Sequence, residues 1–443
     1  MKRLIALFLI IISIITLSTV CYGASETDNH ITFSETATDS SMLLFAKKFG
    51  GNYKGAPTPP IVVNDTLIVV SGVKIYKLDA VTGEEIASTK MQGSTIYATV
   101  SPCFAEGKIF VQLDSGIVQA FDYETMTSQW IYTAPSGGQA ICPVTYKDGY
   151  IYTGFWNGET EVADYVALST ADEDTTTDIE TKTAQWTYSS SGGFYWAGCA
   201  VTDNYVVFGK DDGERGYTGA SHIIALDKTT GQEVSYLIVT GDIRSSVTYS
   251  EETDAFYCSG KAGYIYKFRL DESTGKLYAL EEYKADGAVT STPVVYNKRL
   301  YAGCQKGALG KFIVLDAETM NEIYSCDMQG YPQGTMLVSA GYENTKEKVY
   351  IYSTYNAKPG GITVFEDSKG QTTAKKTELF VPDGSMSEYC ISTISAGEDG
   401  TLFYKNDSGN IFAVIKEFDV TSLLTKIFSL FRSIIEKLTL FFS

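Results

Sequence analysis

Histidine is almost absent: the 443-residue chain has two, His30 and His222. That scarcity closes most routes to general-base catalysis and to imidazole-ligated metal, which need histidine set among partners. No G-x-S-x-G elbow, Walker loop, H-E-x-x-H run or C-x-x-C-H haem site occurs. Cysteine never takes the short C-x-x-C spacing of a zinc or redox site. Positive charge is in deficit, 35 Lys and Arg against 53 Asp and Glu, for a formal net charge of −18. A body of that sign repels phosphate backbones, so nucleic acid is excluded as a partner.

The longest apolar run sits at the start. "MKRLIALFLIIISIITLSTVCYGASE" has a basic opening, an apolar stretch Leu4–Val20 and then small residues, the pattern of an export signal over residues 1–23. The same run is long enough to stay as an uncleaved anchor, and Cys21 admits lipidation. After the leader come Cys103, Cys142, Cys199, Cys258, Cys304, Cys326 and Cys390. They stand alone inside apolar runs, roughly one per repeat, as buried thiols packing like small hydrophobes.

Thirteen per cent aromatic residues and forty glycines make a composition of strands and turns. One grammar recurs: "KLDAVTGEEI", "ALDKTTGQEV", "RLDESTGKLY" and "VLDAETMNEI". Aligning on its acid gives Asp79, Asp122, Asp227, Asp271, Asp316 and Glu366. Ser169 falls in the double-length gap, and "NIFAVI" closes the series at Ile415. Eight copies of about 43–58 residues, each built of short alternating strands, indicate propeller blades. In D-x-x-T-G the Asp bonds backbone two residues on and Gly accepts positive φ, so the motif reads as a hairpin between the last two strands of a blade. The last copy lacks its fourth strand. "MLLFAKKF" (42–49) matches the fourth-strand pattern of "SQWIYT", with Phe45 in the place of Trp130, and Trp186 stands at the matched position of "AQWTYS". The expected fold is therefore all-β, an eight-bladed β-propeller over 42–418 closed by an N-terminal strand, after a linker at 24–41.

The "LDAxTG" turn, the Trp after it in some copies and the eightfold repeat resemble the PQQ-like propeller repeat, a family of quinoprotein alcohol dehydrogenases and an outer-membrane assembly lipoprotein scaffold. The dehydrogenase branch implies a quinone cofactor, a calcium ion and a pair of adjacent cysteines. No two cysteines here are neighbours, and no calcium ligands fall on a matching motif. The expectation is a non-enzymatic protein without cofactor or metal. Its rival is a divergent quinoprotein, or a hydrolase or lyase using carboxylates from different blades.

Candidate contact residues lie in the loops that enter the inner strands. Registering the copies places Tyr97, Phe194, Tyr331 and Tyr389 equivalently, with Tyr53 nearby and Tyr195, Trp196 and Arg244 added by the middle copies. Aromatics with a polar handle suit a protein or glycan partner at the cell envelope. The "TADEDTTTDIETKT" insertion (170–183) reads as a solvated, partly disordered excursion, "KDDGERG" (210–216) as a plain turn, and His222 as a structural strand residue. At 100° per residue, Leu424, Ile427, Phe428, Phe431, Ile434, Ile435, Leu438 and Phe442 share one face of the tail, which reads as an amphipathic helix over 420–443. Its apolar face has three possible destinations: a membrane interface, a partner or second copy, or the propeller itself. Oligomeric state is not legible.

Overall fold

The structure, a computed structural model, describes residues 30–417. Eight antiparallel sheets follow one another along the chain, each a blade whose strands run from the channel outwards. The first blade shows the plan: Ile61–Val63 innermost, then Thr66–Ser71, Lys74–Asp79 and Glu85–Lys90 outermost. The ring closes as the sequence indicates. Ser41–Lys48 pairs antiparallel with Asn410–Lys416 and supplies the outer strand of blade eight, Ser41 opposite Lys416 and Lys48 opposite Asn410. The expected leader and the tail read as an amphipathic helix, with Leu424 to Phe442 on its apolar face, lie outside the described residues.

Two expectations change. From His30 on, the stretch read as a linker is part of the fold. Ile31–Thr32 pairs parallel with Leu337–Ser339 of blade seven, Ala37 is fully buried, and the Tyr342 hydroxyl donates to the Thr36 carbonyl at 2.7 Å. The insertion at 170–183 is likewise ordered. Its Glu180–Thr181 strand pairs parallel with the outer strand of blade two, Ser128–Thr133. Lys182 is buried there, its Nζ donating to both Glu180 carboxylate oxygens at 3.0 and 3.1 Å and to the Ala171 carbonyl at 2.6 Å. Glu180, with Glu173 at 3.4 Å, neutralises this buried lysine, while 173–178 are exposed as the solvated reading expects.

The repeated acid makes the hairpin as expected. Asp79 Oδ1 accepts from Val81 N, Thr82 N and Thr82 Oγ1 at 2.8–3.0 Å, and Asp227 and Asp316 repeat this set. The turn does more than reverse the chain, because it seats the outer aromatic of the preceding blade. Trp186 Nε1 donates to the Lys228 carbonyl at 2.8 Å, and Trp130 Nε1 to the Thr170 carbonyl at 3.3 Å. A Cβ on Gly231 would lie 2.5 Å from the Trp186 ring, and one on Gly83 2.8 Å from the Phe45 ring. Where the preceding outer strand offers only Ala87, the turn carries Met126 instead of Gly, still at φ 56° and buried against the same cluster. At these seams space is traded between neighbours: the Trp186 and Phe45 rings meet glycine, and Ala87 meets methionine.

The seven described cysteines are all buried except the partly exposed Cys326. Burial pushes the Cys142 and Cys390 thiols up to about 12 and Cys199 to about 11, so they pack as hydrophobes and stay protonated.

Gly231→Ala combines positive φ (70°) with the ring contact and is expected to cost about 2–4 kcal/mol. Gly107→Ala has positive φ but open space around its Cβ, and should cost about 1 kcal/mol. Urea unfolding of the two variants measures the difference, and equal losses would mean that the ring contact contributes nothing.

Candidate binding site at the channel mouth

In a four-strand meander, the loop entering each inner strand and the turn between the two middle strands open on the same face. That face carries the predicted contact residues around one mouth of the channel. The channel below is narrow: Ser101 Oγ of blade two and Thr393 Oγ1 of blade eight stand 3.5 Å apart.

The deepest feature is Arg244. Nε and Nη2 bond the two oxygens of Asp211 at 3.1 and 2.7 Å, and Nη2 stands 2.8 Å from Asp242 Oδ2, an ionic contact without hydrogen-bond alignment. All three side chains are buried. Burial pushes the Asp211 and Asp242 carboxyls up while the guanidinium pulls both down. Three aromatic rings surround the cation, with Tyr195 at 4.5 Å, Tyr217 at 4.9 Å and Trp156 at 6.0 Å from Cζ. Trp156 Nε1 also donates to Asp211 at 3.1 Å. Arg244 is therefore not a free rim cation, as its place in the sequence suggested; it is the post on which the aromatic wall is fixed.

The wall continues around the mouth. Tyr195 meets Trp156 edge-on at 5.2 Å and Trp196 at 4.8 Å. Trp196 Nε1 reaches across to Thr99 Oγ1 of blade two at 2.9 Å. Tyr97 packs against Tyr53 at 4.9 Å, and Tyr53 rides on a 3₁₀ turn capped by the Asn52 side chain. Burial pushes the Tyr195 hydroxyl up to about 12. Tyr53, 43% exposed, and Tyr389, 50% exposed, present the open surface. On that side Lys405 is buried with its Nζ 3.8 Å from Asp407, burial lowering its hold on the proton and Asp407 raising it.

Among the described residues, the non-glycine positions with positive φ include three aromatics, Tyr97 (58°), Trp196 (56°) and Tyr217 (63°). All three stand at this mouth. Bulky residues held there cost of order 1–3 kcal/mol each and persist only where the surroundings over-determine them.

Two predicted members do not join the wall. Phe194 is fully buried and packs against Tyr165 and Phe208 at 5.0 and 5.5 Å, inside the core between blades three and four. The Tyr331 hydroxyl bonds Thr290 Oγ1 at 2.8 Å, fixing that ring against the neighbouring blade. Registering the copies equates positions along the chain and says nothing of which way each side chain turns. Conversely, Asp211, Asp242, Trp156 and Tyr217 escaped notice. "KDDGERG" read as a plain turn, and the pairing of Asp211 and Asp242 with Arg244 is made between two blades. His222 has the structural place expected of it, edge-on to Tyr236 at 4.8 Å.

A quinone with its calcium does not fit these residues. No two described cysteines are neighbours in the chain, no described group of three or more His, Cys, Asp or Glu residues is arranged to hold a metal ion, and Asp211 and Asp242 are committed to Arg244.

Residues 37–160 match the family model of the outer membrane protein assembly factor BamB. Solved structures share the fold. BamB from Moraxella catarrhalis is 12% identical with a TM-score of 0.54, covering 85% of this chain and 99% of that one. The quinohemoprotein alcohol dehydrogenase from Comamonas testosteroni is 12% identical with a TM-score of 0.61, covering 88% and 79%. A europium-containing methanol dehydrogenase is 11% identical with a TM-score of 0.63, covering 89% and 98%. No curated protein sequence matches the chain. At these identities the likeness is one of fold.

Arg244→Met leaves two buried carboxylates without their cation and should cost about 3–5 kcal/mol at pH 8. Their folded-state pKa values, already raised by burial, rise further, so the folded variant takes up protons as pH falls and the loss shrinks by pH 5. Urea unfolding at both pH values checks this; an equal loss at pH 5 and pH 8 would show that the guanidinium is not neutralising the pair.

Proposed function

We propose that this chain, built of PQQ-like β-propeller repeats, is a non-catalytic binding scaffold that engages a polypeptide partner at the cell envelope through the aromatic mouth of its channel. The observation that carries this reading is the aromatic mouth itself: Tyr97, Trp196 and Tyr217 are held at positive φ, and Tyr195, Tyr217 and Trp156 surround an arginine already neutralised by its own acids. Such a site spends its strain on presenting apolar rings with hydroxyl and indole edges, the chemistry of a protein contact surface. The match of residues 37–160 to an outer membrane assembly factor supports the same direction. Export rests on the leader, and attachment rests on the amphipathic tail at 420–443, whose basic residues Lys426, Arg432 and Lys437 favour an anionic membrane surface. A glycan is the alternative ligand for the same rings.

Tyr97→Ala with Tyr389→Ala removes two partly exposed rings and leaves the Arg244 cluster intact. The melting temperature is expected to stay within a few degrees, while capture of an envelope polypeptide on the immobilised protein falls at least tenfold. Undiminished capture would remove the mouth from consideration, and capture that survives protease treatment of the extract would point to glycan. Removing 420–443 should abolish co-sedimentation with anionic vesicles; equal sedimentation of both forms would free the tail from that role.

A further inference from the structure

The outermost strand of every blade presents an unpaired row of backbone N–H and C=O groups, and proteins blunt such edges with charge or cover. Most edges here are blunted. Blade one has Glu85 and Lys90, blade five Lys276, Glu281, Glu282 and Lys284, blade six Glu322 and Asp327, blade seven Lys375, Lys376 and Glu378, and blade eight Lys47 and Lys48. Blade three ends in three serines. Blade two has the uncharged strand Ser128–Thr133, and that edge is covered by Glu180–Thr181 of the insertion.

Blade four is the exception. Its outer strand Glu233–Thr240 runs "VSYLIVT" after the first residue, without charge, proline or glycine; no described strand pairs with its outer edge, and only at Thr240 are the backbone N–H and C=O taken, by the Tyr266 hydroxyl at 3.0 and 3.1 Å. Ile238 is 69% exposed and Tyr236 51% exposed. Cavities of about 290 and 270 Å³ flank Ile238 along the seam with blade five, sharing Tyr266 in their walls. Exposed Glu281 and Glu282 stand beside them.

We propose that this edge is a docking site for an extended polypeptide segment of a partner, added to blade four as a fifth strand. The apolar side chains of the segment enter the seam beside Ile238, and its basic residues face Glu281 and Glu282. The cover on blade two shows the mode within the same molecule: Lys182 N donates to the Ile131 carbonyl at 2.8 Å as the inserted strand lies along the edge. A net charge of −18 disfavours a second copy as occupant, because two such bodies repel. Backbone pairing gives affinity and alternate side chains give selectivity, as in strand addition generally.

The test uses the full chain and a fluorescein-labelled, end-blocked octapeptide, Lys-Thr-Val-Thr-Val-Thr-Val-Lys, followed by fluorescence polarisation. Saturable binding to the parent is expected, weakened at least tenfold by Ile238→Lys, which installs on the solvent side the charge that other edges carry. Ile86→Lys on the blade-one edge should leave binding unchanged, and the peptide N-methylated at alternate residues should fail to bind. Absence of saturable binding, equal binding to Ile238→Lys, or equal binding of the methylated peptide would overturn the proposal. So would sedimentation showing a dimer of the parent that Ile238→Lys dissolves, since the occupant would then be a second copy.

Discussion

The structure depends on the contact between the outer strand of one blade and the turn of the next, made by an aromatic ring at Phe45, Trp130 and Trp186 and by Ala87 against Met126. A blade alone is a small twisted sheet with two apolar faces, and it is stable only when both are covered. The LDxxTG turn supplies a carbonyl for the indole N–H and, where a ring lies above it, a glycine with no Cβ to obstruct it. Ser41–Lys48 lets the last blade make the same contact with the first through Phe45 and Gly83. The repeat is conserved in this geometry even where its letters change, because Met126 keeps the backbone conformation and fills the room left by Ala87.

The mouth inherits its rigidity from that ring. Tyr53, Tyr97, Tyr195, Trp196 and Tyr389 sit on loops that leave one blade and enter the next, and Trp156 and Tyr217 on turns within a blade, so the rim is set by several sheets at once. Arg244, Asp211 and Asp242 tie together loops of blades three to five, with Trp156 and Tyr195 as walls. A buried charge cluster of this kind adds little net stability, since desolvation offsets most of the attraction. Its role is positional: it holds the Tyr217 ring directly and Trp196 through Tyr195, while Tyr97 is held by Tyr53. The edge of blade four is a second surface on the same rigid frame, of different chemistry: backbone groups instead of rings.

Much of the architecture was legible in the sequence because its causes are local. The Asp of each turn bonds neighbours two and three residues on, the alternation of each strand reports its two faces, and the missing fourth strand of the last copy has its match at Phe45. The strand at the end of the insertion was not legible: 173–178 are exposed as the acidic, threonine-rich stretch suggests, but Glu180 turns inward to pair with the buried Lys182. The site was legible in half. Tyr53, Tyr97, Tyr195 and Trp196 come together, whereas Phe194 turns into the core and Asp211 finds Arg244 only through folding, 33 residues apart. Side-chain direction at a loop and pairing between blades are tertiary facts, and no local pattern encodes them.

The central claim is that the mouth, held as a rigid aromatic wall, meets a polypeptide in its native setting. A photo-crosslinking amino acid placed at Tyr53, with Ile86 on the distant outer face of blade one as control, tests it most directly. The account predicts a discrete protein adduct from position 53 that is absent from position 86. Position 53 giving no adduct beyond that of position 86, with the protein folded and exported, would contradict it.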